Sequence, residues 1–422
     1  MQCCIKATLS IENQVANLPH GVLVNDNPPR ISDVLLVSNE EFTFRILKGK
    51  NIMKKTLAVA AVLAAFAGSA AADVTVYGSF DTGLYYQHNA GGADTVQMKH
   101  SMNETSKFAL KGSEKISDGL TVGFKMEMAL EADTGKAANG AFEREMLGYV
   151  KTAYGEIGLG RTGSIGASTG SYAFLGSGNT GFGGGMAAVG DNGFIFLGKD
   201  SRLDNSVTYK SPTMGGVTLF AQVGTADADE AEYTHNVDRF YGIGAQYAAG
   251  ALKAGLVYTL TDVGQDGYEA KRAPAKPKEV IAAQAEEVTT SLSGFVTYDF
   301  GVAKVMAAAQ YFDGVKSATG KFATDTAEEV AACNGLEGFG ASLAVSAPVA
   351  GGTAKALVGY ASAEDIVTGD EQVRNQVAAA YVYPLSKQSG LYAAAGYTNV
   401  EYKVDSTRDE VFTGLVGLYH NF

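Results

Sequence analysis

The chain contains no tryptophan, and only eight prolines and five histidines occur in its 422 residues. The histidines, His20, His88, His100, His235 and His420, are scattered without metal-ligand spacing. No His-Glu-x-x-His run, cysteine pair or Gly-x-Ser-x-Gly elbow is present, so the usual metal, redox and hydrolase signatures are missing. Three cysteines occur, and Cys3 and Cys4 precede the segment read below as a leader. Cys333 then stands alone, which leaves no intramolecular disulfide. A basic surface is also lacking. The formal charge is −12, and this excludes the electrostatic footprint of a nucleic-acid binder.

What is abundant is glycine, at 52 residues roughly twice average usage, together with 21 tyrosines and 20 phenylalanines. Apolar residues make up 46% of the chain. The mean hydropathy is nevertheless zero. Apolar and polar residues are therefore interleaved rather than gathered in blocks.

One long apolar stretch is an exception. Met53-Lys54-Lys55 supplies a positive start, an Ala/Val/Leu/Phe run follows from Leu57, and Ala70-Ala71-Ala72 forms a small-residue cleavage site. This is the pattern of a secretory signal peptide over 53–72. The run is too short and too alanine-rich for a membrane-spanning helix. A signal peptide opens a chain, so residues 1–52 read as a spurious extension upstream of the true start at Met53. Lys48-Gly49-Lys50 requires a purine-rich coding stretch like a bacterial ribosome-binding site, at a suitable distance before Met53. The mature protein is expected to be 73–422.

Beyond Asp73 the dominant period is two. Val122, Phe124, Met126 and Met128 alternate with Gly123, Lys125 and Glu127. Val217, Leu219, Ala221 and Val223 alternate with Thr218, Phe220 and Gln222. Such runs predict strands with one apolar and one polar face. Sixteen can be marked, starting near 74, 104, 119, 143, 154, 203, 215, 239, 251, 289, 302, 336, 351, 373, 389 and 410. Tight turns, such as Ser117-Asp118-Gly119 and Ala249-Gly250, alternate with long polar connections near 88–103, 132–142, 162–202, 225–238, 262–288, 312–335, 362–372 and 402–409. The mature prolines, at 212, 274, 277, 348 and 384, all fall in predicted turns or loops, where no ladder is broken.

Short turns on one side and long loops on the other is the pattern of a transmembrane barrel. An exported sheet facing lipid must close, because an open edge leaves backbone groups unpaired. With about sixteen strands side chains do not fill the interior, and an aqueous channel remains. The expected fold is all-β: a 16-stranded antiparallel transmembrane β-barrel. Tyr77, Phe80, Tyr149, Tyr209, Tyr381 and Tyr383 are candidates for interfacial girdles. The stretch 162–202 carries Gly176, Gly178, Gly181 and Gly183–Gly185, and lacks the Gly-Lys-Ser/Thr of a phosphate loop. Its composition suits a loop packed inside the barrel as a constriction. The loop at 262–288 holds Lys271, Arg272, Lys276 and Lys278 and reads as a solvated surface connection, with a helical turn over 278–287.

Several segments resemble general trimeric porins of the Gram-negative outer membrane, especially the β-proteobacterial type. They are Val74-Thr75-Val76-Tyr77-Gly78, Ser106 to Glu114, Glu156 to Arg161, Arg202 to Tyr209 with Ser211-Pro212, and the closing Val416 to Phe422. The resemblance spans 73–422. It implies passive diffusion of small hydrophilic solutes and ions, a homotrimer in outer-membrane lipid, no enzymatic activity and no cofactor. It implies a third loop folded inward and a ladder of basic wall residues facing acids on that loop. Lys107, Arg144 and Arg202 match the family's wall arginines, and Glu127 matches a wall glutamate. Phe422 matches the terminal aromatic that the barrel-assembly machinery recognises. Periodicity independently puts Lys125 and Glu127 on the luminal face. The family's inward loop often carries Pro-Glu-Phe-Gly-Gly, whereas here Asn179-Thr180-Gly181-Phe182-Gly183-Gly184 has no glutamate. Asp191 is the one acid between Thr162 and Lys199, so the resemblance implies a constriction more positive than in relatives. Acidic outer loops pull the other way, and the sign of ion preference stays open at this level. A substrate-specific channel, or an adhesive or structural barrel acting through its loops, is the alternative reading.

Overall fold

A computed structural model describes residues 73–422 except 139, 183–185, 191, 199–201, 226–238, 263–287, 316–334 and 367. The signal peptide, the upstream extension, Asp191, Cys333, the two prolines at 274 and 277 and the helical turn expected over 278–287 lie outside the described residues.

The strands are β1 (Asp73–Asn89), β2 (Thr95–His100), β3 (Lys107–Ser117), β4 (Leu120–Glu131), β5 (Lys136–Ala137), β6 (Glu145–Thr152), β7 (Gly155–Gly163), β8 (Arg202–Lys210) and β9 (Val217–Thr225). The second half holds β10 (Arg239–Ala249), β11 (Leu252–Asp262), β12 (Val288–Asp299), β13 (Lys304–Val315), β14 (Leu336–Val349), β15 (Gly352–Asp365), β16 (Glu371–Pro384), β17 (Ser389–Tyr402) and β18 (Thr407–Asn421). Every pairing is antiparallel between neighbours, and β1 pairs with β18. The sheet is closed, as lipid requires. β2 and β3 both pair with β1 and form one interrupted wall strand. β5 and β6 both pair with β4 and form another. The wall therefore has sixteen strands, and all but the two interrupted ones begin close to a position marked by periodicity.

Polarity is inverted relative to a soluble core. Leu256, Tyr258, Leu292, Val296, Leu343, Val358 and Val377 are large, apolar and exposed. They point outward toward lipid. Their alternates Thr259, Ser291, Ser293, Ser342 and Gln376 are buried and point inward. This is the period-two signal expressed in three dimensions.

Three expectations need correction. First, 88–103 is not a long loop: β1 and β2 continue as a hairpin joined at 90–94, and 101–106 is a separate interruption before β3. Likewise 362–372 and 402–409 shrink to short turns between extended strands. Beyond the lipid both faces of a hairpin are wet, so the ladder persists where apolar alternation has ended. Second, Pro348 and Pro384 lie in strands, within the last two residues of β14 and β16. Strand ends tolerate a missing donor. Third, Tyr77 and Tyr149 are not girdle residues. Tyr77 donates to Glu127 at 2.7 Å, and the Tyr149 ring packs against Gly123 of the luminal face. Phe80, Tyr209 and Tyr383 do face outward and are about two-fifths exposed.

Candidate functional site: the luminal constriction

The long connection after β7 holds three single-turn helices, α1 (Ser177–Thr180), α2 (Ala187–Gly190) and α3 (Asn192–Ile195). It turns into the barrel. Ile165 N donates to Gln222 on β9 at 2.8 Å, and Phe174 meets Phe220 edge-on with centroids 4.9 Å apart. Lys253 on β11 donates to Asn179 at 3.1 Å, and Lys304 on β13 to the Gly178 carbonyl at 2.5 Å. Gly198 N returns to Gln310 at 2.9 Å.

An apolar shelf receives the loop. Phe182, Met186 and Val189 are buried in a cluster with Met306, Ala344, Ala378, Ala380 and Ala394. The wall residues here are small because the loop backbone lies directly on them. A Cβ on Gly340 would sit 2.1 Å from the Ile195 carbonyl, and one on Gly396 would sit 2.1 Å from that of Val189. Close backbone approach of this kind selects glycine.

Away from the shelf, β3, β4 and β6 carry charge. Cross-strand register places Lys107 opposite Ala129, Lys111 opposite Lys125, and Glu127 opposite Glu145. Paired residues share a face, here the luminal one. Lys125 Nζ lies 3.1 Å from Glu127 and 2.7 Å from Glu145. Lys107 and Arg144 each approach Glu127 to 3.6 Å. Arg202 donates to the Arg144 carbonyl at 2.9 Å and to Thr169 at 3.2 Å. Sequence reasoning thus named five residues, Lys107, Lys125, Glu127, Arg144 and Arg202, that the fold brings into one cluster.

Exposure within the cluster is unequal. The Glu127 and Glu145 side chains are 7% and 1% exposed, whereas those of Lys107 and Lys125 are 28% and 27% exposed. The acids form the floor and the amines face the water. Glu145 also accepts from Thr162 Oγ1 at 2.6 Å and from Ser171 N at 2.9 Å, which ties the root of the inward loop to the cluster.

Sequence reasoning missed Glu145, Lys111, Lys253, Lys304 and Lys355. The four lysines sit at luminal positions of period-two strands, and the alternation alone was sufficient to find them. Glu145 begins a strand beside an arginine, and only register shows that it meets Lys125. Among the described residues no group of His, Cys, Asp and Glu has the geometry of a metal site.

Comparison with known proteins agrees with this architecture. A family model for Gram-negative porins matches residues 58–403. An outer membrane porin protein of Bordetella pertussis is 28% identical over 411 residues, covering 88% of this chain and all of that protein. Outer membrane porin protein 32 of Delftia acidovorans is 29% identical over 362 residues, covering 81% of this chain and 88% of that protein. Among solved structures, the anion-selective porin from Comamonas acidovorans superposes with a TM-score of 0.60 at 21% identity, covering 83% of this chain and all of that one. Sequence family, closed barrel and polar lumen converge: the chain belongs to the Gram-negative porin family and is an outer-membrane channel for passive diffusion.

Proposed function

We propose that this channel prefers small hydrophilic anions and that Lys107, Lys111, Lys125, Arg144 and Arg202 are its selectivity-setting wall. The observation that carries this reading is the direct cross-strand pair of Lys111 and Lys125. Like charges in that position repel. Lys125 is answered by two carboxylates, whereas Lys111 makes no ion pair among the described residues and lies 5.2 Å from the centre of the Tyr77 ring. An anion passing between the two amines relieves the repulsion. The lysines that flank the inward loop, Lys253 and Lys304, add positive potential to the same lumen.

The porin from Comamonas is described as anion-selective, which supports the same sign here. A structural neighbour from Vibrio cholerae is described in a trimer form, and we extend that assembly to this chain as a homotrimer in outer-membrane lipid. Export through the 53–72 leader, and recognition of Phe422 by the barrel-assembly machinery, complete the reading. Residues 1–52 take no part in it.

The test is the zero-current potential of the chain from Asp73, refolded into a planar bilayer under a potassium chloride gradient. A potential of the sign set by chloride permeation is expected. A cation-selective potential would overturn the proposal, and inserted barrels without conductance would point instead to a plugged or adhesive barrel.

A further inference from the structure

The six residues 101–106 interrupt the wall strand between β2 and β3. In β1, Ser79 pairs with Lys107 and Thr82 pairs with His100, so these six residues face only Phe80 and Asp81. The surplus backbone leaves the plane of the wall. Met102 shows which way it goes: it is 3% exposed and clusters with Phe182, Met186 and Val189 of the inward loop and with Tyr392 and Leu415 of the luminal face. The segment is an inward hook that puts Met102 into the same buried apolar cluster as the inward loop.

Asp81 holds this hook. Its side chain is fully buried. One carboxylate oxygen accepts from Met102 N at 2.9 Å and from the Tyr392 hydroxyl at 2.7 Å. The other accepts from Asn103 N at 3.1 Å and Glu104 N at 2.9 Å. Three successive amides converging on one carboxylate form an anion nest. The main chain of Asp81 adds to it, since its N donates to Ser106 Oγ and its carbonyl accepts from the same hydroxyl, both at 2.9 Å. Ser101 N also donates to that carbonyl, at 3.1 Å. A buried charge persists only where it is this fully hydrogen-bonded.

We infer that residues 101–106 form a second constriction element and that Asp81 is its positioning residue. The wall would then meet the inward loop from two sides, the apolar shelf and Met102. This inference concerns how the aperture is held and stands whatever the sign of the channel's ion preference.

Three variants separate the parts. Asp81→Asn keeps the shape but replaces one acceptor by an amide donor facing two backbone N–H groups. It is expected to loosen the hook and raise open-channel current noise several-fold. Met102→Ala removes the hook's side chain from the cluster it shares with the inward loop and is expected to do the same. Because both act through one hook, the double variant should be no noisier than the noisier single, the signature of coupled sites.

Heat-modifiable migration in gels checks that each barrel has folded. Tyr392→Phe, which removes a single donor to Asp81, substitutes if Asp81→Asn does not fold, with an intermediate rise in noise expected. Additive noise in the double variant, or quiet channels in folded Asp81→Asn or Tyr392→Phe, would overturn the positioning role.

Discussion

The ring of Phe422 lies against Gly78. Their main chains exchange two hydrogen bonds, Gly78 N to the Phe422 carbonyl at 3.0 Å and Phe422 N to the Gly78 carbonyl at 3.1 Å. A Cβ on Gly78 would stand 2.5 Å from Phe422 Cζ and 2.4 Å from the Lys107 carbonyl. The first and last strands therefore close the barrel at a point where any side chain on residue 78 collides with two neighbours. Gly78→Val is expected to slow or abolish closure, whereas Phe422→Ala leaves the seam geometry intact and loses only the ring. Folded yield by heat-modifiable migration distinguishes them: a refolding defect in vitro should be large for Gly78→Val and small for Phe422→Ala. Equal refolding of Gly78→Val and the unaltered chain would contradict this account.

Lys125 neutralises two acids that have little other access to water. Removing it leaves Glu127 with Lys107 and Arg144 at 3.6 Å, and leaves Glu145, among the described residues, with only neutral donors. Breaking a buried pair by deleting one partner costs about 3–5 kcal/mol, and the partial exposure of Lys125 reduces that to about 1–2 kcal/mol. Lys125→Met is expected to lower the thermal midpoint in detergent. Glu145→Gln in the same background should recover part of the loss, because it removes the stranded charge.

The inward loop depends on the absence of a side chain at Gly396. Gly396→Val would drive a branched side chain into the Val189 carbonyl, and the loop must lift from its shelf. The expected outcome is a larger single-channel conductance and entry of larger neutral sugars in a liposome-swelling assay. The wall ladder does not use this side chain, so the barrel should still fold.

Much of this molecule is legible in its sequence, because lipid on one face and water on the other impose alternation on every spanning strand. Val122 to Met128 and Val217 to Val223 face as their periods dictate. Legibility fails where that two-sided boundary condition ends. Thr95–His100 forms a strand whose alternation is confined to Val96 and Met98, too short a run to stand out from a polar connection. Asp81 looks like any luminal polar residue, and its four donors come from 102–104 and from Tyr392, which is 311 positions away. Lys111 differs: its face follows from the same period that marks Lys125, and the register sets the two directly opposite.

Outside the membrane, the hairpin turn after β1 carries a pH-sensitive contact. Hydrogen bonding from His88, and secondarily Tyr86, holds the Asp94 carboxyl below the usual carboxylate range. A depressed folded-state pKa stabilises the turn at pH above the ordinary carboxylate value, and that contribution fades as pH falls through the depressed one. Amide hydrogen exchange over 90–94 should therefore gain less protection at acidic pH than intrinsic exchange rates predict. Asp94→Asn should abolish the difference. The group is exposed, so global stability should barely change.

Salt provides the sharpest check on the luminal lysines. Fixed charge selects ions only over the distance at which it is unscreened, about 10 Å at 0.1 M salt and about 3 Å at 1 M. If the amines of Lys107, Lys111 and Lys125 set the preference, the anion-to-cation permeability ratio should be highest in dilute salt and fall toward unity near molar concentration. Lys111→Glu should reduce the ratio most in dilute salt, because it replaces the one amine of the three that makes no ion pair among the described residues and sets a carboxylate directly across from Lys125. Lys253→Ala should have a smaller effect of the same sign, since its amine is already engaged by Asn179. A permeability ratio independent of salt would mean that pore width, and not charge, governs what passes.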